Sequence, residues 1–257
     1  MHRSPIRIVA SIPVLLAALL AGCQATRSEQ TMTLDVGGPL AIDVSSLGGD
    51  VIIRGRDEGD RATVHFERVA LHGGDRRAEA AASLAEISTS AELVPGELGP
   101  ILQVRAETTH GEPHFQRVHI TIDAPLIDGV MILTQRGRIE VRNVAGECSI
   151  RTSDGGIRFM TAQALTRPIT ISNADGDIDF RTAGSSRGTI SAQADDGAVL
   201  HRVRLGALTI AAGTDHDSLH ATLNGGDNAI TLRTVNGDIR IAVVSNPEEV
   251  GLRIFEP

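Results

Sequence analysis

The strongest constraint on what this chain can fold into is a repeat. Gly176-Asp177-Ile178-Asp179-Phe180 recurs as Gly237-Asp238-Ile239-Arg240-Ile241, with weaker copies at Gly137-Arg138-Ile139-Glu140-Val141, Gly156-Ile157-Arg158-Phe159 and Gly197-Ala198-Val199-Leu200. Ahead of each copy, and once more between the last two, lies a second alternating stretch: Val130/Ile132, Cys148/Ile150, Ile169/Ile171, Ile190/Ala192, Leu208/Ile210 and Ile230/Leu232. Cutting on this pattern gives units 129–145, 146–166, 167–186, 187–205, 206–224 and 225–243, each 17 to 21 residues long. Alternating residues make a strand with one hidden face, which a single unit has nothing to cover. Stacked units line those faces into one continuous core. Asp175-Gly176, Asp196-Gly197 and Asn236-Gly237 supply the turns, since Gly and Asn tolerate positive φ. A meander of antiparallel hairpins would use the same dipeptides. The translational likeness of the copies favours a parallel β-solenoid (β-helix) of about six to seven short rungs, so the fold class is mainly β.

The composition agrees with stacked short strands. Glycine is plentiful, Trp and Tyr are absent, and the aromatics are Phe66, Phe115, Phe159, Phe180 and Phe255. An early copy of the unit, Ile42/Val44 then Gly49-Asp50-Val51-Ile52-Ile53, is separated from the main array by a different segment. There Ala62 to Val69 alternates with Val64 and Phe66 on one face. Gly73-Gly74-Asp75 then opens a helical stretch carrying Ala78, Ala81, Leu84 and Ile87. Strands at Ile101–Ala106 and Val118–Ala124 follow a Pro/Gly loop. Residues 33–125 therefore read as a β-rich segment with one helix that covers the first rung. Residues 126–257 read as the solenoid and its C-terminal cap.

The first 22 residues are a different kind of sequence. His2, Arg3 and Arg7 precede an apolar run from Ile8 to Leu20, too short for a stable bilayer span and shaped like a secretory signal. It ends in Leu20-Ala21-Gly22-Cys23, which resembles the lipobox of bacterial lipoproteins. That resemblance implies removal of 1–22, lipidation of Cys23 and a linker over 23–32. It places the mature chain in the cell envelope, and with Gln24 after the cysteine, at the outer membrane in a Gram-negative host. Loss of residues 1–22, with two arginines and no acid, takes the net charge from −8 to −10. Such a chain has no electrostatic case for nucleic acid or anionic headgroups, so the membrane is reached through acyl chains.

With Gly49-Asp50-Val51-Ile52-Ile53, the helix-bearing middle and the later repeats ending in Gly237-Asp238-Ile239-Arg240-Ile241, residues 33–243 resemble bacterial putative-adhesin domains of unknown function. The resemblance implies a β-helical stack more firmly than any activity.

Residues able to do chemistry are few. Cys148 falls on an inward strand position level with Val130 and Ile169, where a thiol acts as a small hydrophobe, and with Cys23 lipidated it has no disulfide partner. His201 takes the inward slot held elsewhere by Val141, Phe159, Phe180 and Ile241. Asp215, His216 and Asp217, with His220 beyond, occupy a turn two residues longer than its neighbours, in a unit with Asp217-Ser218-Leu219 where other units carry glycine. They are the metal-ligand candidates, but three residues of one loop rarely complete a shell, and a solvated turn on a protein-contact surface is the preferred reading. The acids of the Gly-Asp-Ile copies, Asp177 and Asp179 among them, are read as outward side chains that blunt lateral association. No catalytic residues and no cofactor are assigned. The sequence describes a non-catalytic, lipid-anchored envelope protein whose faces contact another envelope protein or polymer. The alternatives are a carbohydrate-active β-helix enzyme (a polysaccharide lyase or hydrolase) and an envelope-stress accessory that binds a regulatory membrane protein.

Overall fold

Two β-sheets face each other across a core of aliphatic side chains. A computed structural model describes residues 25–72 and 74–249, so the leader, Cys23 and the last eight residues lie outside the described residues. One sheet has the spatial order Thr26–Asp35, Arg61–Ala70, Gln116–Pro125, Val51–Arg56, Ile139–Arg142, Ile157–Thr161, Ile178–Ala183, Ile239–Val244, Val199–Val203. The other runs Leu208–Ile210, Ser218–Leu223, Gly188–Asp196, Ala229–Asn236, Ile169–Asp175, Ala145–Asp154, Ile127–Thr134, Leu40–Ser46, Pro100–Thr108, Ile87–Pro95. Each repeat except 206–224 places one strand in each sheet, and those repeats pair in parallel and in register with their neighbours. Ile157 faces Ile139 and Ile178, and Phe159 faces Val141 and Phe180, whose rings stack with centroids 5.3 Å apart. The alternation read from the sequence is therefore the inward–outward alternation of the stack.

The order of the repeats departs from the sequence reading. Units do not stack in chain order. Unit 225–243 sits between 167–186 and 187–205: Ile239 pairs with Ile178 on one side and Val199 on the other. Unit 206–224 is no parallel rung at all. Its strands Leu208–Ile210 and Ser218–Leu223 pair antiparallel with each other, and Ser218–Leu223 pairs antiparallel with Gly188–Asp196. The unit that lacks the turn glycine is the one that leaves the array.

That glycine has a structural cause. At the turn between the two sheets the rungs approach so closely that a Cβ on Gly137 would lie 2.2 Å from Gly49 O, and one on Gly155 2.3 Å from Gly137 O. Gly176, Gly237 and Gly197 continue this column. Just before the turn, buried small polar residues satisfy its backbone. Asn173 Nδ2 donates to Gly155 O at 2.8 Å and Asp175 O at 3.0 Å, and Thr234 Oγ1 donates to Gly176 O at 2.9 Å. Just after it, the repeat aspartates bind the next rung. Arg138 N–H donates to Asp50 Oδ1, Asp238 N–H to Asp177 Oδ1 and Ala198 N–H to Asp238 Oδ1, at 2.9, 2.9 and 3.1 Å. Burial pushes the Asp177 carboxyl up, but the Asp238 N–H and the Arg240 guanidinium outweigh it and hold the group below the usual carboxylate range. The motif Gly-Asp-Ile thus encodes close approach, a rung-to-rung hydrogen bond and a core residue in succession.

Antiparallel strands close the N-terminal end of the array in both sheets: Arg61–Ala70 pairs with Gln116–Pro125, and Ile87–Pro95 with Pro100–Thr108. Thr26–Asp35, read in part as a linker, is a strand of ten residues paired with Arg61–Ala70. The helix is Arg77–Leu84, and it buries Ala80, Ser83 and Leu84. The expected stripe through Ala78 and Ala81 is displaced, because Ile87 already begins the next strand and the chain turns at Ala85.

Candidate functional site

Asp215, His216 and Asp217 lie in the turn joining Leu208–Ile210 to Ser218–Leu223. The turn is closed by its own backbone: Asp215 N–H donates to Ser218 O at 3.1 Å, and Thr214 Oγ1 bonds both the carbonyl and the N–H of His220. Its carbonyls accept from the last rung, Val199 N–H to His216 O and Ala194 N–H to Asp217 O, both at 2.8 Å. The extra length thus ties the antiparallel hairpin to the open edge of that rung. The side chains of Asp215 and His216 are 80% and 79% exposed, and the His216 N–H holds the Asp215 carboxyl below its ordinary range. His201 is in register with Ile241, as the repeat predicts, but is exposed, because Val199–Val203 ends its sheet. Cys148 is buried against Val130 and Ile169, and burial pushes its thiol up to about 12, far from the reactive thiolate range.

A second cluster, assembled in the N-terminal cap, carries no motif in the sequence. His72 follows strand Arg61–Ala70, Glu79 lies on the helix, His110 follows Pro100–Thr108, and Glu112 precedes a short turn at Pro113–Phe115. One donor atom from each lies within 4.8 Å of the others. His72 is 9% exposed, stacks on Phe115 at 4.9 Å, and neither of its ring nitrogens has a hydrogen-bond partner among the described residues. His110 Nδ1 meets Glu86 Oε2 at 3.2 Å, while its Nε2 is buried and unpartnered. Arg76 donates from Nε to Glu79 Oε2 at 2.6 Å, and its Nη2 bridges Glu79 and Glu112. These bonds hold both carboxyls below their ordinary range.

The outward faces differ between the sheets. On the nine-stranded sheet, charges interlock: Arg181 clasps Asp179 at 2.8 and 2.6 Å, and Arg158 reaches Asp179 at 3.4 Å and Glu140 at 3.8 Å. Asp179 points outward as expected, yet it is 6% exposed and Arg181 3%. On the ten-stranded sheet, one outward row runs through short polar side chains, Asp43, Ser149, Thr170, Thr231 and Ser191, and includes Met131, 51% exposed; the next row runs Arg105, Ser45, Leu133 (54% exposed), Arg151, Ser172, Arg233 and Gln193. A concavity of about 380 Å³ opens between Ser45, Glu107, His114 and Arg136. Among the described residues no helix is long and apolar enough to cross a membrane.

This architecture, a parallel stack of two-strand rungs with antiparallel ends, defines a β-solenoid-like domain. The chain belongs to the Toastrack DUF4097 family, which matches residues 103–242, more than half of its length. It is similar to the crystal structure of a "putative cell adhesion protein" from Clostridium sporogenes, with a TM-score of 0.61 at 10% identity over 85% of this chain and all of that one. A "putative adhesin" from Bacteroides fragilis aligns with a TM-score of 0.32 at 12% identity, over 87% of this chain and all of that one. No curated protein matches the chain. At 10% identity the likeness to the Clostridium sporogenes protein shows the fold alone.

Proposed function

We propose that the protein is a non-catalytic, lipid-anchored component of the cell envelope that presents its stacked sheets as an interaction surface, in the manner of an adhesin or scaffold. The observation that carries this reading is the outer face of the ten-stranded sheet. Its rows of Asp, Ser and Thr, interspersed with Arg105, Arg151 and Arg233, present repeated hydrogen-bonding groups on a rigid plane, and Met131 and Leu133 form an apolar patch within it. Such a face suits an extended partner better than a small substrate, which needs a cleft. Leu20-Ala21-Gly22-Cys23 supplies the anchor, and the net charge of −10 after processing leaves the acyl chains as the membrane contact. The partner is another envelope protein or polymer, at the outer membrane in a Gram-negative host.

Two measurements test this. Cells fed labelled palmitate should label the wild type and not Cys23→Ser, and the wild type should fractionate with membranes. The chain should bind isolated envelopes, and Met131→Glu/Leu133→Glu should lose that binding with its melting temperature unchanged. Protease treatment of the envelopes separates a protein partner from a polymer. Binding equal in the double variant and the wild type removes the face from the proposal, and an unlabelled wild type removes the anchor.

A further inference from the structure

The end cap holds an arrangement that its own contacts leave incomplete. A buried imidazole ordinarily bonds through at least one nitrogen, because an unpaired buried polar group loses its water without replacement. His72 leaves both nitrogens unpaired at 9% exposure, and His110 leaves its buried Nε2 unpaired beside it. One nitrogen of each ring lies within 4.8 Å of an oxygen from each of two carboxylates, Glu79 and Glu112.

We propose that His72, His110, Glu79 and Glu112 bind a single divalent transition-metal ion of the Zn²⁺ class, which staples the helix-bearing cap onto the end of the stack. Two imidazoles with two carboxylates form a nitrogen–oxygen set suited to zinc, whereas calcium and magnesium sites are built from oxygens alone. A tetrahedral ion with bonds of about 2.0–2.2 Å draws its donors to roughly 3.4 Å from one another. The half-exposed Glu79 and Glu112 side chains have the freedom to close that gap.

The surroundings match a metal site at its next layer. Glu86 holds His110 Nδ1 at 3.2 Å and leaves the buried Nε2 free to ligate, the arrangement by which a carboxylate orients a metal-bound histidine. Arg76 draws the two glutamates together and occupies one acceptor site on each bonded oxygen, and an ionised carboxylate has about four. The four ligands come from three segments: His72 from the end of one strand, Glu79 from the helix, and His110 and Glu112 from the loop between a second strand and Phe115. An ion there ties the eight-residue helix to the strand and loop on which it packs.

The test uses the full chain in detergent, stripped with chelator and then titrated with Zn²⁺ by calorimetry and with Co²⁺ by its visible absorption. One ion should bind per chain and raise the melting temperature. His110→Gln and Glu112→Gln should each weaken binding at least tenfold, and Glu86→Gln roughly ten- to a hundredfold through the orientation of His110. Asp215→Ala/Asp217→Ala should bind as the wild type does. Glu112 is half exposed, so its variant keeps the measurement valid if His110→Gln fails to fold. Absence of stoichiometric binding overturns the proposal and leaves Arg76 as the sole cation of the cluster. Binding that survives both Glu112→Gln and His110→Gln overturns it equally.

Discussion

A Cβ on Gly237 would lie 2.5 Å from Gly176 O, at a φ of +137°. Two penalties coincide there: a backbone conformation that side chains resist, and a neighbouring rung that cannot retreat without breaking its own pairing. Gly213, in the long turn, has a φ of +87° but nothing within 4 Å. Gly237→Ala should therefore cost about 2–4 kcal/mol, and Gly213→Ala only about 1 kcal/mol. Urea unfolding midpoints measure the difference, and equal shifts would contradict the close glycine column. The repeat made this column visible in the sequence, since every parallel unit of the array keeps its glycine. The polar residues beside it, Asn173 and Thr234, were not visible as turn-holders, because an alternating strand that ends in a small polar residue looks the same whether that residue is buried or solvated.

At the scale of the strand, period-two alternation assigned inward and outward residues of Ile178–Ala183 but not what surrounds the outward ones. Asp179 reads as a solvated acid, and by that reading Asp179→Lys would be tolerated. Its neighbours in space change the expectation. Arg181, two residues on and 3% exposed, and Arg158, across from it on the adjacent strand, both depend on its carboxylate. Removing the acid leaves Arg181 an uncompensated buried charge, and lysine adds a third cation, so Asp179→Lys should cost about 3–5 kcal/mol. Thr231→Lys, outward and exposed on the other sheet, should stay within about 0.5 kcal/mol. Thermal denaturation of the two variants decides the matter: comparable melting temperatures would mean that the ion network on the outer face contributes little. Nothing in a single strand's sequence reports which charges meet across rungs, and that is why the face was legible and its energetics were not.

At the scale of the molecule, the sequence specifies interchangeable rungs and leaves their order open. Every parallel unit offers the same hydrogen-bonding edge, so chain order alone does not decide which unit lies beside which. One signal was present: the two best-matched copies, at 176–180 and 237–241, are direct neighbours, with Arg240 paired to Asp177 at 2.7 Å. The cap cluster offered less, since its four ligands span a non-repetitive segment with no fixed spacing. The insertion of the last unit has a testable consequence. In a solenoid stacked in chain order, truncation after residue 224 would remove one terminal rung and leave the rest capped as before. Here it removes an interior rung. Ile169–Asp175 and Ile178–Ala183 lose their partners on one side, and Gly188–Asp196 and Val199–Val203 lose their only parallel neighbours. The antiparallel hairpin that packs on Gly188–Asp196 then has no stack to close. Protein truncated at 224 should therefore lose protection from hydrogen exchange across 187–224 while 40–161 remains protected. The stack nearer the cap keeps every pairing that does not involve the missing unit. Retained protection at 187–224 would mean that those strands dock directly on 167–186, and the inserted order would be wrong.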